Sequence, residues 1–242
     1  MSLEREKHFV NWLTSISDDV SELYILGDLF DFWFEYRQVV PKGYIRLLGK
    51  LAELADQGVI IHIFAGNHDQ WYQDYFPNQI GAHIHFGPVT KTFFDRTYFL
   101  AHGDGLGPGD HGYKFLKKIV THPLSKWLYA RLHPNLGIGL ALWFSRQGGN
   151  HHYLDPALDE VEHLGFKEFL YQFALDHAKK HSEIDTYIFG HRHLLIDDKL
   201  KAGPHIIILG DWIQYFSYLK ISPVGEELAV FPTNQLQEIP SP

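Results

Sequence analysis

The chain has 242 residues, is 45% hydrophobic and 15% aromatic, and carries a net charge of −8. That length suits one large domain, 1–242, with room for an elaborate insert, and the acidic balance argues against general nucleic-acid binding. The absence of cysteine excludes disulfides and thiolate zinc sites, and the apolar run from Leu136 to Phe144 is far too short to span a bilayer.

In chain order, Phe9, Leu13 and Ile16 share one face and predict a helix from Leu3 to Ile16. Leu23 to Leu26 predicts a strand, and a loop dense in aromatics follows from Phe30 to Val40. Gly43 to Gln57 predicts a second helix, with Ile45, Leu48, Ala52 and Ala55 inward and Gly58 as its stop. Val59 to Phe64 reads as a buried strand in which His62 is hydrogen-bonded. His83 to Phe86, Val89 to Phe94 and Thr97 to Ala101 are expected to form an antiparallel meander turning at Asp95-Arg96, with His83 and His85 on its surface. From Asp110 to Asn150 the character changes: six basic residues stand against one acid and alternate with aromatics. This predicts short helices broken near Pro123 and Pro134, an insert bounded at 110–165. Phe166 to His181 predicts a long helix. Thr186 to Phe189, His205 to Leu209, Tyr215 to Ile221 and Glu227 to Phe231 predict strands. The alternation of strands and helices implies an α/β sandwich with a helical cap.

Four of these strands end in the same way. Leu23 to Leu26 runs into Gly27-Asp28-Leu29-Phe30-Asp31, and Val59 to Phe64 into Gly66-Asn67-His68-Asp69. Tyr98 to Ala101 runs into His102-Gly103-Asp104, and Thr186 to Phe189 into Gly190-His191-Arg192-His193. An H-x-H pair alone is weak, but four strand ends rich in glycine and in oxygen or nitrogen ligands point to one site, because open α/β sheets hold their sites there. Gly105-x-Gly107-x-Gly109 lacks a following Lys-Ser/Thr and is read as a turn beneath that site rather than a phosphate loop.

These blocks resemble the calcineurin-like metallophosphoesterase superfamily, whose pattern is GD-x-x-D, GNHD, an HGD block and GH-x-H. The resemblance implies a two-metal site that hydrolyses phosphate esters. One metal would be held by Asp28, Asn67, His102 and His191, and the other by Asp28, His193 and a D-x-H on a first strand. Mn²⁺ is the expected cation, with Fe²⁺ or Zn²⁺ compatible. His68 would contact the phosphate and assist the leaving group, Asp69 would orient His68, and Asp104 would orient a ligand histidine. One departure stands out: no D-x-H follows an apolar strand, and a parallel crossover onto Leu23 to Leu26 needs a strand ahead of the first helix. About two dozen further residues upstream, a strand and its loop, are expected. The alternative is a variant with a deficient second site.

Four further stretches, Gly27 to Trp33, His102 to Leu106, Asp110-x-x-Tyr113 and Gly210-Asp211-Trp212, resemble the narrower family of UDP-2,3-diacylglucosamine diphosphatases of lipid A synthesis. The resemblance runs from Arg5 to about Val230. It implies attack at the phosphorus next to uridine, giving UMP and 2,3-diacylglucosamine 1-phosphate, with Asn67, Asp110, Tyr113 and Trp33 in contact with substrate. Leu128, Leu132, Ile138, Leu142, Trp143 and Phe144 would line an acyl slot. Lys114, Lys117, Lys118 and Arg131 would meet phosphates or an anionic membrane, so a cytoplasmic protein peripheral on the inner membrane is expected. Many members carry arginine where His68 stands. That departure keeps open a phosphoesterase acting on another phosphoester, a nucleotide or phosphoprotein. The missing D-x-H keeps open a catalytically silent scaffold.

Overall fold

A computed structural model describes residues 2–107, 109, 111–149 and 168–233, with the side chains of 144–149 left aside. Helix α1 (Leu3–Ile16) opens on Ser2, whose hydroxyl accepts from the Arg5 N–H. Strand β1 (Glu22–Ile25) leads through the aromatic loop to α2 (Ile45–Asp56). The first turn of α2 has no cap of its own. Glu6, reaching across from α1, accepts from the N–H groups of Arg46 and Leu47 at 2.9 and 3.3 Å. The buried face of α2 is Leu47, Lys50, Leu51 and Leu54, and Ile45 is 74% exposed. The predicted inward face is therefore rotated, because three leucines at helical spacing bury more apolar surface than Ile45, Leu48 and two alanines, of which Leu48 and Ala55 still pack partly against the core.

Strand β2 (Ile60–Phe64), helix α3 (Tyr75–Ile80) and strand β3 (His83–His85) follow. Strands β1, β2 and β3 form one parallel sheet in that order. The second sheet has the order β4 (Val89–Phe93), β5 (Arg96–Ala101), β6 (Thr186–Phe189), β8 (His205–Leu209), β7 (Leu195–Lys199). The expected meander is thus only a hairpin: β4 and β5 turn at Phe94-Asp95, both at positive φ, while β3 joins the other sheet beside β2. His62 meets His85 at 2.9 Å, as the burial of its strand required. Between β5 and β6 lie α4 (His111–Thr121), α5 (Pro123–Tyr129), α6 (Pro134–Gly149) and α7 (Phe169–Ala178), the last shorter than predicted and capped by Glu168. Strands β9 (Ser217–Ser222) and β10 (Gly225–Val230) pair only with each other among the described residues.

Three apolar clusters explain the layering. Leu13, Leu23, Ile25, Leu47 and Ile63 join α1 and α2 to the first sheet. Leu26 and Phe64 meet Leu100, Ile188 and Ile207 between the two sheets. Leu170 and Ala174 of α7 cover Tyr187, Phe189 and Ile206 on the far side. The result is the expected α/β sandwich: helices, sheet, sheet, helices.

Candidate active site

The C-terminal ends of β1, β2, β5 and β6 come together, and backbone conformation explains how. Asp28 and His191 both sit at positive φ, 53° and 63°. A side chain held in that region costs about 1–2 kcal/mol, which persists where surrounding contacts enforce it. Two glycines supply the room. A Cβ on Gly27 would run into the His102 ring, and one on Gly66 into the Asp28 carboxylate. Only a bare Cα lets these strand ends approach so closely.

The His102 Nδ1–H donates to the Leu26 carbonyl at 2.7 Å, which turns Nε2 toward the site. Nε2 lies 3.1 Å from Asn67 Oδ1 and 3.4 Å from Asp28 Oδ2, and His191 Nδ1 lies 2.8 Å from Asn67 Oδ1. Donor atoms of two imidazoles, a carboxamide and a carboxylate thus crowd one small space, a set able to hold a cation. Two ligands about 2.1 Å from one cation and at right angles stand about 3.0 Å apart, the spacing found here. Among the described residues, Asp28, His102 and His191 are the one group of acids and histidines able to share a cation.

The electrostatics agree. Burial alone would raise the Asp28 carboxyl, but the neighbouring His102 outweighs it and holds Asp28 well below the usual carboxylate range. Burial works against a charged His102, yet the Asp28 carboxylate raises its pKa to about 9. Burial and the charge on His102 lower His191 to about 4. The pocket thus holds a single positive charge against Asp28.

Asp69 is fully buried and ties the first two loops together. It accepts from the N–H groups of Gly66, Asp28 and Phe30 at 2.8, 3.2 and 3.3 Å, and from the Tyr72 hydroxyl at 2.7 Å. Burial and the nearby Asp28 raise its pKa. His68 is fixed through its backbone N–H, which donates to Asp28 Oδ1 at 2.9 Å.

His193 stands apart from this group. Its ring bonds Asp211 Oδ2 at 2.8 Å, and Asp211 is itself held by the N–H groups of Ile213, Gln214 and Tyr215. Two residues expected at the substrate have other partners here. Trp33 is completely buried, stacked on Phe30 and donating to Glu35 at 3.0 Å, so it packs in the core rather than lining an open surface. Lys117 pairs with Asp104 at 2.5 Å, beside the Tyr113 hydroxyl on the same carboxylate, so Asp104 anchors α4. Asp110 lies outside the described residues, as do 150–165 of the insert. Tyr72 and Asp211 were the partners missed as such. The Gly210-Asp211-Trp212 block was visible, but its pairing to His193 depends on a contact 18 residues away.

A carboxylate, a carboxamide and two imidazoles gathered at strand ends define a metal-assisted hydrolase. No family model matches the chain. It is 41% identical over 221 residues to the UDP-2,3-diacylglucosamine hydrolase of Porphyromonas gingivalis, covering 88% of this chain and 84% of that one. It is 27% identical over 238 residues to the protein of that name from Shewanella sp. strain W3-18-1, covering 98% and 94%. The chain belongs to the UDP-2,3-diacylglucosamine hydrolase family. Among solved structures, an archaeal phosphodiesterase matches with a TM-score of 0.44 and 11% identity, over 93% of this chain and 92% of that one.

Proposed function

We propose that this chain hydrolyses the pyrophosphate of UDP-2,3-diacylglucosamine, releasing UMP and 2,3-diacylglucosamine 1-phosphate. The reading is carried by the convergence of Asp28, Asn67, His102 and His191 in a member of this family. Those four residues would hold a divalent cation, Mn²⁺ foremost, with Fe²⁺ and Zn²⁺ compatible with the same donors. Such a cation neutralises phosphate charge and lowers the pKa of a bound water. A second cation would share Asp28 and take Nε2 of His193, whose ring Asp211 orients through Nδ1, and is held more weakly because this sequence offers no D-x-H to complete its ligands.

The rest falls to the chain's own residues. His102 is fixed in one tautomer by the Leu26 carbonyl. Asp69 keeps Asp28 and Asn67 in register by bonding both of their loops. His68, one residue beyond Asn67, contacts the phosphate and protonates the leaving group. Asp110 and Tyr113 contact the glucosamine phosphate.

The cap supports a lipid. In α4 and α5 no side chain is buried, and Phe115, Leu116, Ile119, Trp127, Leu128 and Leu136 are all exposed. Acyl chains and the surface of the inner membrane suit such a face, flanked by Lys114 and Lys118. Among the described residues no helix is long and apolar enough to cross a membrane. Contact through this face would be peripheral, on the cytoplasmic side of the inner membrane. The test is UMP release from UDP-2,3-diacylglucosamine with Mn²⁺, using long and short acyl chains. Release that ignores chain length would remove the lipid from the reading. Activity on simple phosphodiesters without UMP release would replace it with a general phosphoesterase.

A further inference from the structure

The loop that carries His191 and His193 is pinned at both ends through its backbone. The Gly190 N–H donates to the His102 carbonyl at 3.0 Å, and the Leu194 carbonyl accepts from the Gly210 N–H at 2.9 Å. Between these pins the chain bends sharply. The Arg192 N–H donates to the Gly190 carbonyl at 2.7 Å across His191, which sits at φ 63°. A bend of that kind persists where its surroundings enforce it. The Arg192 side chain leaves the bend and meets the first turn of α7. Its guanidinium lies 5.5 Å from the centre of the Phe169 ring, and its Nε faces Glu168 Oε1 at 3.1 Å.

The Glu168 side chain is 1% exposed and its two oxygens have separate partners. Oε2 accepts from the N–H groups of Leu170 and Tyr171 at 2.6 and 2.9 Å, which caps α7. Oε1 and Arg192 Nε are both buried and neither makes a hydrogen bond, so what joins them is an ion pair. A carboxylate this deep is costly unless a counter-charge stands beside it. The same turn of α7 also borders the histidine. The Phe169 and His191 rings meet edge to face at 6.2 Å, and a Cβ on Gly103 would touch both Leu170 and the Cβ of His191.

We propose that Glu168 is a positioning residue for the pocket: through Arg192 it fixes the bend at His191, and with it the approach of the His191 ring to Asn67. Short side chains are the usual helix caps; the longer glutamate serves the cap with one oxygen and Arg192 with the other. Glu168 and Arg192 thus form one strut between α7 and the loop that bears both histidines. With the strut in place the His191 ring stands 2.8 Å from Asn67 Oδ1. Without it the bend relaxes and the ring withdraws. The inference rests on the reading that His191 helps to hold a cation.

The experiment compares Glu168→Gln, Arg192→Gln and the double variant with the unaltered chain. Glutamine at 168 keeps an oxygen for the Leu170 and Tyr171 N–H groups, so α7 stays capped. Titration calorimetry reads Mn²⁺ affinity, and thermal melts of chelated protein read folding. Expected in each single variant is an affinity about tenfold lower, the lower end of the range for groups that orient metal ligands. On charge alone Arg192→Gln would tighten the cation, so a loss there reports position. The double variant should be no weaker than either single one, because both remove the same strut. Unchanged affinity with a lower melting midpoint overturns the inference and leaves Glu168 a cap only, and losses that multiply in the double variant overturn it too. Arg192→Gln carries the comparison alone if Glu168→Gln does not fold. An unaltered chain that binds no Mn²⁺ defeats the cation reading by itself. Long-range ¹H–¹⁵N spectra of the chelated protein then decide on the strut. Expected is a His191 ring protonated at Nδ1, facing Asn67 Oδ1, in the unaltered chain and a mixture of tautomers in the single variants. The same tautomer in all of them refutes the strut.

Discussion

The strand ends and the helical cap face the same space but are built on opposite terms. At the strand ends, polar atoms are over-determined. Asp69 alone gathers four donors, Asn67 Oδ1 is approached by two rings, and Asp28 and His191 are held in strained conformations. In the cap, α4 and α5 bury no side chain, and they are anchored at their inner ends. The anchors include the Trp71 indole N–H on the Val120 carbonyl at 3.0 Å and the stacking of Trp71 and Phe34 on Tyr129. Placement of reacting groups needs rigidity to a fraction of an ångström, whereas holding acyl chains needs only apolar area. The hydrogen bonds are concentrated at the strand ends, and the cap's outer face is mainly exposed apolar surface.

If that division is right, damage at the strand ends should be large and damage in the cap modest. Asp28→Ala should abolish cation binding and lower kcat/KM by roughly 10⁴-fold, on the scale of removing one member of a unit that acts together. Metal analysis of the reloaded protein alongside UMP release checks both. His68→Ala should lower kcat by about 10²–10³-fold, the range for lost acid–base help, while metal content stays unchanged. Equal metal loss in both variants would mean that the roles are misassigned.

The raised pKa of His102 supplies a third comparison. Without a cation, the His102 proton stabilises the fold below its unfolded value near 6.5, and that stability is lost as pH rises through about 9. A cation must displace this proton, so its affinity moves the other way and weakens about tenfold per pH unit below 9, roughly 100-fold between pH 8 and 6. Titration calorimetry at several pH values, with thermal melts of chelated protein, should show these opposite slopes. In the cap, Trp127→Ala should raise KM for the long-chain substrate by about tenfold, the worth of roughly 1.5 kcal/mol of apolar burial, without changing kcat. A comparable loss with a short-chain substrate would place Trp127 in the cap's own packing.

Much of this division was legible in the sequence. Strand ends carrying glycine beside oxygen or nitrogen ligands pointed to the four blocks, because a bare Cα lets ligands approach, and the resemblance to the metallophosphoesterases singled out Asp28, Asn67, His102 and His191 within them. Strands β6 and β8 were legible as unbroken apolar runs, buried on both faces. Strand β7, with Asp197, Asp198 and Lys199 on a sheet edge, has no such signal. Helix α3, of six residues, is too short to show a period. The sheet to which β3 belongs is set by parallel pairing with β2, a long-range choice that local pattern does not encode. Trp33 illustrates the limit at the site: a motif can carry an aromatic for packing as well as for contact, and only its burial separates the two.

The anchor of α4 couples the two regions. Asp104 is neutralised by Lys117, and its charge also acts on His191, raising that ring's proton affinity. An anionic ligand that draws Lys117 away leaves Asp104 without its counter-charge and makes the His191 side of the pocket more attractive to a cation. By thermodynamic reciprocity, a cation already in place makes Lys117 easier to release. An anion that draws on Lys117 and a cation at the strand ends would then strengthen each other's binding.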